Sequence, residues 1–174
     1  MRKEVVRHIP VLNNQGQLIK LLISENLSKK LYLSNPVVIM AGGKGKRLLP
    51  KTKNCPKPMI KINDKPMLEI ILEQCIKYGL SEFYISVNYL KDQIINYFGD
   101  GSKFGVNIKY LLEEKPLGTA GSLNLLPSNL NKPILVLNSD VLTNANIYDL
   151  IQSHSEHNSN ATLCVQEHQM TCPY

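Results

Sequence analysis

The chain has no tryptophan and only three phenylalanines, so aromatic residues make up just 6% of it. No basic stripe with interleaved stacking residues appears, which argues against single-stranded nucleic acid as a partner. No apolar run approaches the length needed to span a bilayer, which argues against a membrane partner. The opening Met1-Arg2-Lys3-Glu4-Val5 lacks the apolar core of a secretory signal, so a cytoplasmic location is expected. Four cysteines are present at 55, 75, 164 and 172, without a C-x-x-C pair. Buried or idle thiols in a reducing compartment are the expectation, rather than zinc or disulfides. Acid is scarce in one place above all: between Lys44 and Lys65, Asp64 is the only acidic residue. At 174 residues and a net charge of +6, the chain has room for one core-forming domain whose excess charge is concentrated in that segment.

The segment opens with Val37-Val38-Ile39-Met40, which reads as a buried strand, and runs into Ala41-Gly42-Gly43-Lys44-Gly45-Lys46-Arg47. Glycines let the backbone turn sharply where side chains would obstruct a ligand, and amides from such a turn can point at phosphate oxygens. Two familiar glycine motifs do not fit. A P-loop places Ser or Thr directly after its lysine, whereas Arg47 follows Lys46. A dinucleotide fingerprint requires a third glycine opening a helix, whereas Leu48 stands in its place and Pro50 opposes an immediate helix. The loop is therefore expected to bind phosphate in another way, with Lys57 between Pro56 and Pro58 as a second fixed cation.

Residues 1–34 read as a separate piece. Strands over 6–12 and 17–23, joined by Asn13-Asn14-Gln15-Gly16, form a β-hairpin, and Ser24 to Leu33 is a candidate short helix. The pattern resembles the closing half of a CBS motif, with a plain hairpin as the alternative. From Asn35 onward, strands and helices alternate. Strands are expected over 37–40, 83–87, 106–112, 133–138 and 161–166; helices are expected over 65–80, 91–98, 119–126 and 146–157. This predicts an α/β fold with a mostly parallel, Rossmann-like sheet covered by helices. Ligands in such sheets collect beyond the C-terminal strand ends. The glycine loop, the loop 113–119 and Asp140 all fall on that edge.

With these three segments in view, the chain resembles the sugar-1-phosphate nucleotidyltransferases over about residues 36–174. Ala41 to Pro50 with Pro56-Lys57-Pro58-Met59 is similar to that family's signature. Glu114-Lys115-Pro116-Leu117-Gly118-Thr119-Ala120-Gly121 and Asn138-Ser139-Asp140 follow as its second and third motifs. The wording of the second motif is most similar to mannose-1-phosphate guanylyltransferases. Lys46 departs from the pattern, standing where the family usually has threonine. The resemblance implies the nucleotide-diphospho-sugar transferase type of sheet. It also implies transfer of a nucleoside monophosphate from a triphosphate to a sugar 1-phosphate, with release of pyrophosphate. Arg47 and Lys57 would be catalytic cations, and Asp140 would hold Mg2+. Ala41, Gly42, Gly43, Lys44, Gly45, Glu113, Gly118, Thr119 and Ala120 would bind the nucleotide.

Glu113 lies where uracil- and thymine-selecting relatives look to carry glutamine. An ionised carboxylate only accepts hydrogen bonds, which suits the two adjacent donors of guanine and favours GTP; a solvent-facing Glu113 is the alternative. His154 and His157 share a helix face but read as a solvated helix end rather than a zinc site. The last residues break off where family members turn into their sugar-binding half. The expectation is a fragment, with a CBS-like remnant over 1–34 and an incomplete nucleotidyltransferase domain over 35–174. It would bind nucleotide weakly and transfer little. A non-catalytic nucleotide-sensing module is the competing reading, and the sequence leaves a homo-oligomer open.

Overall fold

The computed structural model describes residues 8–23, 33–118 and 120–167. The chain divides into two compact units, Met1–Tyr32 and Leu33–Tyr174. In the first unit, β1 (His8–Leu12) pairs antiparallel with β2 (Leu18–Ile23), from His8 opposite Ile23 to Leu12 opposite Leu18. Asn13 makes the turn: its side-chain oxygen accepts the amides of Gln15 and Gln17, each at 2.9 Å. This is the local bonding that lets asparagine compete with ladder structure at a strand end. The helix expected from Ser24 lies outside the described residues except for Leu33.

The second unit is built on a four-stranded parallel sheet. Its strands are β3 (Val37–Met40), β6 (Glu82–Val87), β7 (Asn107–Leu112) and β8 (Leu135–Asn138). Their order is β7-β6-β3-β8, with Val37 opposite Phe83 on one side and Leu135 on the other. Val37, Val38 and Ile39 are fully buried, because β3 is flanked by strands and covered on both faces. Val37, Ile39, Phe83 and Ile85 pack into the larger core with Leu68, Leu72, Ile94 and Phe98. These last four come from helices α1 (Met67–Lys77) and α2 (Lys91–Phe98). Helix α3 (Ile147–Glu156) adds Ile147 and Ile151 to that core. Val38, Tyr84 and Leu111 form a smaller cluster on the opposite face, covered by Leu123, Leu126 and Leu130.

Three expected elements come out differently. The helix expected from residue 65 begins at Met67, because Lys65–Pro66 (β5) pairs with Lys61–Ile62 (β4). The turn between them, Asn63-Asp64, has positive φ at both residues, the geometry that suits a two-residue hairpin. The helix expected over 119–126 is a short 3-10 turn, Gly121–Leu125, and Leu126 is already extended ahead of Pro127. Residues 161–166 form no strand: Leu163 and Val165 are 83% and 84% exposed. An apolar β-prone segment becomes a strand only when an edge is there to pair with it, and among the described residues none takes this one. The α3 boundary follows its cap, since the Asn146 side-chain oxygen accepts the amides of Tyr148 and Asp149.

Chain order and spatial order together locate the crevice. From β3 the chain moves outward to β6 and β7, then returns across β3 to lay down β8 on the other side. The ends of β3 and β8 therefore lie side by side, and the loops that leave them share the C-terminal edge where ligands collect in such sheets.

Candidate active site

The glycine turn is anchored before it becomes free. Buried Ala41 still continues the sheet, donating its amide to the Ser86 carbonyl at 2.9 Å. Gly43 has open space where a side chain would stand. Gly45 has φ +58, and a Cβ there would lie 3.0 Å from the Thr52 methyl and 3.1 Å from Lys57 Cβ. A left-handed turn this close to Thr52 and Lys57 requires glycine. Lys46–Leu48 then forms a single 3-10 turn, closed by the Leu48 amide on the Gly45 carbonyl at 2.9 Å. Its two cations are left exposed.

At the ends of β3 and β8 lies a cavity of about 310 Å3, lined by Met40, Gly43, Gly45, Lys46, Arg47, Leu48, Lys57, Pro58, Asn138, Ser139 and Asp140. Lys57 sits in a 3-10 turn between buried Pro56 and Pro58, and its ammonium pairs with the Asp140 carboxylate. Both side chains keep about a third of their surface exposed, so the pair is open to exchange with an incoming ligand. The structure thus gathers Gly43, Gly45, Arg47, Lys57 and Asp140 around one space. Three positive side chains facing one carboxylate suit a polyanion larger than a single phosphate.

The other described candidates do not line this cavity. The Glu113 carboxylate is half-buried and spoken for: Ser86 Oγ donates to Oε1, and the Leu117 amide donates to Oε2 at 3.0 Å. Asn88 holds the Glu113 carbonyl at 2.6 Å. The solvent-facing alternative for Glu113 therefore does not hold. Gly42 joins the two regions, because a Cβ there would come within 2.8 Å of Glu113 Oε1. Gly118 has φ +79 and open space above it, and Ala120 is exposed. Thr119 lies outside the described residues. Lys44 is exposed and does not line the cavity.

Ser86, Asn88 and Thr52 were missed at the level of sequence. Ser86 and Asn88 flank the end of β6, the one strand end on this edge for which no motif spoke; the edge rule alone would have pointed there. Thr52 carried no such signal. His154 and His157 make local contacts, to Thr162 Oγ1 at 3.0 Å and the Ser153 carbonyl at 2.8 Å. Among the described residues no cluster of three or more metal-ligating side chains exists. A lone carboxylate in a polar cleft still fits Mg2+, which keeps several waters and is commonly held by one or two carboxylates together with substrate phosphates.

A parallel sheet with this strand order and this cleft is a fold of the nucleotide-diphospho-sugar transferase type. The chain belongs to the nucleotidyl transferase family, whose model matches residues 36–174. Among its relatives is a mannose-1-phosphate guanyltransferase of Pichia angusta, 37% identical over 130 residues, covering 72% of this chain and 36% of the relative. A probable mannose-1-phosphate guanylyltransferase of Oryza sativa subsp. japonica is 38% identical over 133 residues, covering 74% and 37%. The chain thus spans little more than a third of the length of these relatives. HddC from Yersinia pseudotuberculosis, solved with GMP-PN, superposes with a TM-score of 0.61 at 29% identity, covering 69% of this chain and 54% of that one. A putative glucose-1-phosphate thymidylyltransferase from Bacillus anthracis shares the fold, with a TM-score of 0.65 at 22% identity over 71% of this chain and 51% of that one.

Proposed function

We propose that the second unit is the nucleotide-binding part of a sugar-1-phosphate nucleotidyltransferase that prefers GTP. A sugar-phosphate oxygen attacks the α-phosphorus of the triphosphate. The bond to the bridging oxygen breaks, and pyrophosphate leaves with that electron pair. Both reactants are polyanions, so catalysis consists largely of positioning and charge neutralisation. The observation that carries this reading is the meeting of Arg47, Lys57 and Asp140 on one cavity beside a glycine turn. Arg47 grips phosphate with a planar fork of donors, and Lys57 supplies a point charge. Asp140 would hold Mg2+, which when bound would neutralise phosphate charge.

The preference for guanine is supported by Glu113 and by the names of the relatives. A carboxylate has about four acceptor sites, and two are taken by Ser86 and Leu117. The remaining two match the N1–H and 2-amino donors of guanine, whereas uracil offers one donor between acceptors. The test is equilibrium binding of GTP, UTP, CTP and dTTP with MgCl2, alongside pyrophosphate release with mannose 1-phosphate. GTP should bind at least tenfold more tightly than UTP, about 1.4 kcal/mol. A UTP preference would refute the base assignment while leaving the phosphate site standing.

A further inference from the structure

Thr52 has no counterpart among the groups expected to meet the ligand, yet it is one of the few buried polar residues, at 1% exposure. Its hydroxyl donates to the Gly45 carbonyl at 2.9 Å, and that carbonyl also accepts the Leu48 amide at 2.9 Å. Its methyl closes the space behind the left-handed Gly45, 3.0 Å from where a Cβ would be. The stretch around Thr52 is in turn fastened to the turn after β6. The Tyr89 hydroxyl donates to the Lys53 carbonyl at 2.7 Å, with the Thr52 carbonyl at 3.2 Å. Gln93, in the first turn of α2, donates to the Asn54 carbonyl at 3.0 Å. The loop between Gly45 and Lys57 has no strand or α-helix of its own. Its interior is fixed instead by this chain of side-chain bonds.

We propose that Thr52 is a positioning residue that sets the distance between the two halves of the cationic loop, so that Arg47 and Lys57 address one triphosphate. Arg47 lies two residues after Gly45, and Lys57 packs its Cβ against the same glycine. Displacing the Gly45 carbonyl from Thr52 moves the turn that carries Arg47 while leaving Lys57 between its prolines. The inference rests on the nucleotide-site reading and adds to it a residue that does not line the cavity.

The experiment compares Thr52→Val, which keeps the shape and loses the hydroxyl, with Thr52→Ser, which keeps the hydroxyl. Each full chain is titrated with GTP in MgCl2 and followed by hydrogen exchange over residues 43–49, with thermal melting as the check on folding. Thr52→Val should bind GTP about tenfold more weakly and exchange faster over 43–49, with its melting temperature little changed. Thr52→Ser should stay within about threefold of wild type. Wild-type binding and exchange in Thr52→Val would overturn the proposal, as would an equal loss in Thr52→Ser. If the wild-type chain binds no nucleotide, the reading of the site fails. Exchange then decides the rest: an unchanged 43–49 segment in Thr52→Val overturns the positioning role.

Discussion

Lys57 and Asp140 occupy each other, and each is the other's competitor for what a nucleotide brings. An ammonium on the carboxylate repels a free divalent ion, while a magnesium-bound triphosphate offers both partners something better. Lys57→Met should therefore act in two directions. Binding of Mg-GTP should weaken about tenfold through loss of a phosphate contact, and binding of Mn2+ alone at Asp140 should strengthen a few-fold. Electron paramagnetic resonance of Mn2+ with and without GTP reads both effects. Weaker Mn2+ binding in the variant would show that Lys57 does not guard the carboxylate. Gly45→Ala is a harsher change at the same place. A left-handed φ costs an ordinary residue roughly 1–2 kcal/mol, and here the new methyl also meets Thr52 and Lys57. Binding of Mg-GTP should fall at least tenfold, whereas Gly43→Ala, with nothing within 4 Å, should cost little in melting temperature.

Among the elements, the stretch from the end of β6 into α2 does more than join a strand to a helix. Ser86 and Asn88 hold Glu113 from beneath, and Tyr89 and Gln93 hold the far side of the cationic loop. The end of β6, the turn after it and the start of α2 thus tie the Glu113 loop to the loop between Gly45 and Lys57. Ser86→Ala should narrow the discrimination of GTP from UTP several-fold by loosening the carboxylate, with GTP losing more affinity than UTP gains. Glu113→Gln should go further and raise UTP binding outright, because an amide can both donate and accept. Competitive titration of the two nucleotides measures both variants. Strong local patterns made much of the sheet and most helices legible in advance: the apolar run at 37–40 and the alternation of strand and helix from Asn35 onward. The β4–β5 hairpin was hidden because its strands are two residues each and its turn is Asn63-Asp64 without glycine. The anchoring of Glu113 was hidden too, since Ser86 and Leu117 reach it across 27 and 4 residues with no periodic signal.

For the whole molecule, the question is how far the site depends on one packed core. Phe83, Ile85 and Leu72 fill the space between the sheet and its helices, and Cys75 lies in the same cluster at 0% exposure. Burial pushes the Cys75 thiol up to about 12, so it is both inaccessible and protonated at neutral pH. Cys164, by contrast, is exposed. The two thiols form a built-in comparison of global and local opening. A thiol reagent at pH 8, followed by peptide mapping, should modify Cys164 at the rate of a free cysteine and Cys75 only when the core opens. Phe83→Ala should cost about 3–5 kcal/mol and so raise Cys75 labelling by roughly a hundredfold or more, with Cys164 unchanged. Saturating Mg-GTP should slow Cys75 labelling again, because a ligand that binds only the folded cleft stabilises the sheet beneath it. If labelling of Cys75 rises in Phe83→Ala but does not respond to the nucleotide, the core and the cleft open separately. Residues 41–58 would then be a surface attachment rather than the working edge of the sheet.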